Sequence, residues 1–398
     1  MLDVVITGMG VIGPNGVGLD SMDGAVRAHQ LPFSPWPASA APPHPEALIA
    51  TAGEYPRTRY FNERQLRLMD KAMCLSAFAA GQALEDAGFA DGQAPDDTAT
   101  LLGTMRAEQP SVFKFLQPLV QGRPDRINPA EFPQIARNIS CGQIAIRFGL
   151  RGPSSVLASG SLASLEALSR AADFIRMGRS KVALVGGLDV LSKFSLYFSR
   201  RLYADSMAAT RPSFFGTEPG YLIPSEGACL FVLESAQHAE ARGARVHARL
   251  AGHWSGRVGK GSAISALTAA WDRALAQSGL QASDVGMLVI SAAGGNRPFE
   301  QDEAAAVAAW LQERNCPAQV HAPRSLVGEG EAWTAALQVA TAAYALKQQT
   351  VWPTWSVAND APPLLAARSS GGPLQAPAAL VTAIGSHGVY HTTVLKQA

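Results

Sequence analysis

Gly152–Gly187, GPSSVLASGSLASLEALSRAADFIRMGRSKVALVGG, is the stretch from which the fold can be read. Ser155–Ala158 forms a short apolar strand, Ser159 and Gly160 a sharp turn, and a helix opens at Ser161. Leu165, Leu168, Ala172 and Ile175 recur at helical spacing on one face, and Gly178 supplies the C-terminal stop. Val182–Val185 is the next strand. The unit is that of an α/β fold. Ser161 stands at the positive end of the helix dipole, where free amide N–H groups favour an anion and enzymes place nucleophiles.

Working outward, Val4–Gly13 (VVITGMGVIG) is an apolar strand running into a glycine turn. Gly8, Gly10 and Gly13 satisfy GxGxxG. However, Pro14-Asn15-Gly16 breaks the helix a dinucleotide site requires, and no acidic residue follows a second strand about 20 positions on. Leu31–Ala50 is rich in Pro and Ala and is expected to be a surface loop. Asn62–Asp86 is predicted as one helix, with Leu66, Met69, Met73, Ala77, Ala80 and Leu84 along its core face. Thr100–Gly103 is a strand, and a helix within Glu108–Val120 carries Val112, Phe113, Phe115 and Leu116. Further strands fall within Pro224–Glu234 and Val285–Ser291.

The 398 residues suffice for a large layered domain or two fused halves. Lys and Arg total 33 against 32 Asp and Glu, a balance that argues against nucleic acid or an anionic membrane as the main partner. No apolar run approaches the roughly 18 residues of a membrane span, and MLDVVITG lacks a signal-peptide layout. Cys74, Cys141, Cys229 and Cys316 are scattered, with neither disulfide-framework nor metal-site spacing. A reducing, cytoplasmic location is expected, with no metal and no membrane insertion.

These words resemble the β-ketoacyl synthases, enzymes of the thiolase fold that elongate acyl chains held on a carrier protein. In that family Gly-Pro-Ser precedes, after four residues, a Thr-Ala-Cys whose Cys accepts the acyl chain. Counting from Gly152 places the counterpart of that Cys at Ser161. ITGMGVIGPNG, DKAMCLSAFAAGQALEDAG, NPAEFPQIARNISCGQIAIRFG and PSEGACLFVLE are similar to other landmarks of the family. The resemblance implies an α/β thiolase-like fold of two related βαβαβ halves, stacked as an α-β-α-β-α five-layer sandwich. It divides the chain into an N-terminal half, 1–245, with dimer-interface and tunnel insertions, and a C-terminal half, 246–398.

The frame is kept while the catalytic set is replaced. The family uses one Cys and two His, the imidazoles driving decarboxylation of malonyl-carrier and holding the enolate. The His of His-Gly-Thr has its counterpart at Ala293, and that of Lys-Ser-x-x-Gly-His at Glu329, with Arg324 in place of the Lys. The glycine loop Ile384-Gly385-Ser386-His387-Gly388 has Ser386 where the family carries a gating Phe. A serine hydroxyl without a base is a far weaker nucleophile than a thiol. Ala293 offers no donor, and an ionised Glu329 would repel an enolate.

The resemblance therefore points to a chain-length factor, the non-catalytic ketosynthase-like subunit of a type II polyketide synthase. Such a chain belongs to an acyltransferase-class complex and forms a heterodimer with a catalytic ketosynthase. It uses no cofactor of its own, the substrate riding on the phosphopantetheine of an acyl carrier protein. Many aromatic-polyketide factors carry Gln at the Cys position, so Ser161 points towards the aryl-polyene or highly reducing branch. Matching of tunnel segments nominates Val112, Phe113, Phe115 and Leu116, with Glu131 and Phe132 reaching towards the partner. An enzyme of another class stays open: a Ser-dependent acyltransferase or thioesterase using Ser161, His387 and Glu329.

Overall fold

The computed structural model describes residues 2–37, 47–89, 94–203, 207, 212–216, 222–258, 262–292, 297–385 and 388–398. Ten strands form one continuous sheet: β1 (Val4–Gly13), β2 (Ala99–Gly103), β3 (Ser154–Leu157), β4 (Val182–Asp189), β5 (Gly227–Ser235), β6 (Ala248–Arg257), β7 (Val285–Val289), β8 (Gln319–His321), β9 (Ala378–Ile384) and β10 (Val389–Lys396). Their spatial order is β8-β7-β9-β10-β6-β1-β5-β4-β2-β3, with a two-residue strand, Gly16–Val17, paired to β1. The first five strands are arranged as third, second, fourth, fifth, first. The last five repeat that order, so the fold consists of two topologically equivalent halves. Pairing senses repeat as well. β2 is parallel to β3 and β4, and β7 to β8 and β9. The fourth–fifth and fifth–first pairs are antiparallel in both halves.

The principal helices are α1 (Lys71–Asp86), α2 (Gln109–Val120), α3 (Ile139–Phe148), α4 (Ala163–Arg176), α5 (Lys193–Tyr203), α6 (Ala263–Ser278), α7 (Arg297–Glu313) and α8 (Ala332–Gln348). α4 and α8 touch strands of both halves and form the middle layer. α1 and α3 cover the outer face of the first half-sheet, and α6, with α7 packed on it, covers the second. The apolar core divides accordingly into a central cluster and two outer ones. α8 is buried at every position from Ala332 to Leu346, because its alanine-rich sequence lets the two half-sheets close on a narrow rod. Among the described residues no helix is long and apolar enough to cross a membrane. All four cysteines are free and buried.

The glycines of GxGxxG serve packing. A Cβ on Gly8 would lie 2.1 Å from the Ala83 carbonyl oxygen, and one on Gly10 1.9 Å from that of Ala79, so β1 lies directly on the backbone of α1. Two expectations are corrected. The helix predicted over Asn62–Asp86 is broken, because Asn62 caps a single turn, Glu63–Leu66, and Asp70 caps α1 by accepting the Met73 N–H at 2.9 Å. Leu31–Ala50 contains the paired strands Ser34–Pro35 and Leu48–Ile49, and it buries Trp36, Ile49 and Ala50; residues 38–46 lie outside the described ones.

The middle layer rests on two strand-end glycines. A Cβ on Gly103, at the end of β2, would meet the Ala163 carbonyl carbon and the Ser164 nitrogen at 2.3 Å. A Cβ on Gly187, in β4, would meet the Ala332 carbonyl oxygen at 2.3 Å and Ser164 Cβ at 2.7 Å. Backbone cannot yield as a flexible side chain does, so Gly187→Ala is expected to cost roughly 3 kcal/mol of stability. A chemical-denaturation midpoint checks this, and an unchanged midpoint would show that the helix ends can separate.

Candidate functional site

β3 ends at Leu157, and the chain turns at Gly160, whose φ of +71° suits glycine. It then enters a 3₁₀ turn, Gly160–Leu162, that leads into α4. Ser161 thus stands in the turn before the helix, 8% exposed, at the wall of a cavity of about 370 Å³. Among the described residues its hydroxyl has no hydrogen-bond partner, so nothing there is placed to take its proton. Asp189, Ser225, Arg324, Glu329, Glu331 and Gly385 also face this cavity.

The opposite wall is built from two ion pairs. The short helical turn Arg324–Val327 ends at Gly328, and three residues later Glu331 leads into α8. Arg324 Nη2 lies 2.5 Å from Glu329 Oε2, and Arg324 Nη1 donates to the Ala292 carbonyl at 2.9 Å. Glu329 Oε1 accepts the Glu331 N–H at 2.7 Å. Both oxygens of Glu329 are therefore engaged by its own segment. Glu331 has a φ of +53°, uncommon for a residue with a side chain, and its carboxylate meets Arg106 Nη2 at 2.6 Å. Beneath them Asp189, buried at the end of β4, accepts the Thr104 hydroxyl at 2.9 Å and the Arg106 N–H at 2.8 Å. Burial pushes the carboxyls of Glu329 and Asp189 each up to about 7, for Glu329 against the pull of Arg324.

Comparison with known proteins gives this site its family. The sequence matches the β-ketoacyl synthase N-terminal domain over residues 1–239 and the C-terminal domain over 238–358. The chain belongs to the β-ketoacyl synthase family. The tetracenomycin polyketide synthase ketoacyl synthase beta subunit of Streptomyces glaucescens is 29% identical over 384 residues, covering 91% of this chain and 90% of that protein. A polyketide beta-ketoacyl synthase 2 of Streptomyces coelicolor is 28% identical, covering 99% and 94%. Among solved structures, the ishigamide ketosynthase/chain length factor superposes with a TM-score of 0.88 at 20% identity, covering 100% of this chain and 99% of that one. A type II polyketide synthase acyl-carrier protein in complex with its ketosynthase, AntDE:AntF, gives 0.87 at 20%, with 100% of both chains covered. The structural matches establish a thiolase-like ketosynthase fold.

Against the β-ketoacyl synthase pattern, Ser161 and Glu329 line one cavity, while Ala293 and His387 lie outside the described residues. Glu329 presents to this cavity a carboxyl held by Arg324. None of Val112, Phe113, Phe115, Leu116, Glu131 and Phe132 lines the cavity; from α2 only Gln109, in its first turn, does. The helical period turns Phe113, Leu116 and Val120 outward, where they are 53%, 39% and 85% exposed. Phe115 meets Phe132 edge-on at 5.9 Å, and Lys114 pairs with Glu131 at 2.7 Å, pinning α2 to the 3₁₀ segment Pro129–Ile135. Phe198, Leu202 and Tyr203 of α5 supply the apolar wall instead. Sequence reading passed over α5, although Ser195 and Ser199 beside Phe198 and Leu202 form an i, i+4 pattern. It also passed over Arg106 and Asp189, which directly follow or end strands, where α/β folds collect site residues.

The raised Glu329 carboxyl has a measurable consequence. Its pKa rises from 4.5 unfolded to about 7 folded, so the folded chain retains a proton that the unfolded chain releases. That stabilisation is fully present below 4.5 and is lost as pH rises through 7. Glu329→Gln cannot titrate. It should gain on the wild type by roughly 1 kcal/mol per pH unit across this window, whatever their offset at low pH. Parallel stability–pH curves would place the Glu329 pKa at its ordinary value.

Proposed function

We propose that this chain is a non-catalytic, chain-length-factor subunit that pairs with an active ketosynthase and bounds the acyl chain grown on the partner's cysteine. One observation carries the reading. Among the described residues Ser161, at the expected nucleophile position, has no base beside it, and Glu329, at the expected second histidine position, is already committed to Arg324 and the Glu331 amide. Decarboxylative condensation requires a soft nucleophile and donors aimed at the developing anion, and neither stands in these two places. The names of the related beta subunit and the ketosynthase/chain length factor support the same role.

The partner would meet the edge of the first half-sheet. β3 is a terminal strand, and its Ser154 and Ser155 are exposed. Phe113, Leu116, Leu119, Val120 and Phe132 form exposed apolar surface on α2 and the following 3₁₀ segment. A lone edge strand with apolar surface suits a large obligate interface. In this reading the chain substrate arrives on the phosphopantetheine of an acyl carrier protein, and α2 acts as a wall across the subunit boundary. The Arg324–Glu329 contact weighs against the alternative, a Ser-dependent acyltransferase or thioesterase using Ser161, His387 and Glu329.

Co-expression with a ketosynthase should yield a one-to-one complex, and Ser161→Ala in that complex should leave product yield within about twofold. Loss of product on removing this hydroxyl alone would make the chain an enzyme. Trimming Phe113 or Leu116 to Ala in the active pair should lengthen the products, read by mass spectrometry. Unchanged lengths with both variants would remove α2 as the wall.

A further inference from the structure

Asp189 joins two elements that otherwise meet only across the cavity. One oxygen, Oδ1, accepts the Thr104 hydroxyl at 2.9 Å and the N–H groups of Met105 and Arg106 at 3.0 and 2.8 Å. The other, Oδ2, accepts the Ala332 N–H, the first of α8, at 3.1 Å. Thr104 Oγ1 in turn accepts the Ala107 N–H at 3.0 Å, which closes the loop between β2 and α2 into a compact turn. Thr104 is 2% exposed, so water cannot replace these bonds.

The two ends of this bridge differ in freedom. α8 is enclosed between the sheets along nearly its whole length and cannot shift. α2 packs on one flank and is exposed on the other. Among the described residues its remaining polar ties are side-chain bonds, Arg137 to Glu108 at 2.9 Å, Ser111 to Asp70 at 2.6 Å and Lys114 to Glu131 at 2.7 Å. These ties keep α2 docked, but none of them connects it to the middle layer. Among the described residues the Thr104–Ala107 turn does that, and the same turn orients Arg106 towards Glu331 at the cavity wall.

We infer that Thr104 and Asp189 are positioning residues for product length: together they set how far α2, with Phe113 and Leu116, stands from the rigid middle layer. The inference rests on the reading of α2 as the wall. Each acts through the turn.

Thr104→Val keeps the side-chain shape while removing the hydroxyl, and Thr104→Ser keeps the hydroxyl. In complex with an active ketosynthase, Thr104→Val should change the distribution of product lengths at unchanged heterodimer yield, and Thr104→Ser should restore the wild-type distribution. Hydrogen exchange of Met105–Ala107 and the first turn of α2 should quicken about tenfold in Thr104→Val, with the start of α8 unaffected. A wild-type product distribution in Thr104→Val would overturn the inference. Equal shifts in both variants would also do so, as would loss of the heterodimer in Thr104→Val, which would assign the hydroxyl to stability alone. If Phe113→Ala and Leu116→Ala alter length while Thr104→Val does not, this inference fails and the reading of α2 stands. If none of the three alters length, the reading itself fails.

Discussion

Two helices begin at the same place because two strand ends carry no side chain there. With Gly103 and Gly187 beneath them, the first turns of α4 and α8 approach the sheet at backbone distance. That approach brings Ser161 and Glu331, from opposite halves of the chain, to one cavity. A methyl group at either glycine would lift a helix end and open the floor. Asp189 then binds the assembled parts, since a single carboxyl receives donors from the first half and from α8. The dimensions of the cavity follow from these contacts more than from the residues that line it.

The charges in the cavity are arranged for self-sufficiency. Each arginine faces a glutamate of the same small region, Arg324 with Glu329 and Arg106 with Glu331. Paired in this way, the guanidinium groups do not present a free cation to an incoming carboxylate, and the carboxyls do not present a free base. An ion pair in a low-dielectric site costs desolvation for both members, which its mutual attraction only partly offsets. Such an arrangement gives the region a fixed shape.

Local patterns were legible in the sequence, and long-range ones were not. The strand, turn and helix around Ser161 could be read because Gly160, Gly178 and the Leu165–Ile175 stripe are neighbours along the chain. Glu329 was recognisable as a replacement within its motif, yet its bond to Arg324 needed the turn that brings them face to face. α8 gave no periodic signal, because a helix buried on every side has no polar face to mark it. Phe113, Leu116 and Phe132 illustrate the converse. Their likeness to the family's tunnel segments suggested an interior lining, but one chain alone cannot distinguish a tunnel wall from a surface awaiting a neighbour. The break at Asp70 in the predicted Asn62–Asp86 helix depends on a single cap whose strength was not apparent from periodicity.

The order of assembly follows from the middle layer. α4 is synthesised long before α8, yet the cavity at its start is completed by Gly330, Glu331 and Ile384 from the far end of the chain. Contacts so distant in sequence form slowly, since loop closure must precede their reward. A nascent chain that has produced all five strands of the first half therefore still lacks one side of its cavity and the helix that fills its inner face. During that interval inner apolar surface and the β3 edge are uncovered together, a state prone to association. The duplicated architecture, which makes each half look independent on paper, in fact defers the completion of the first half to the synthesis of the second.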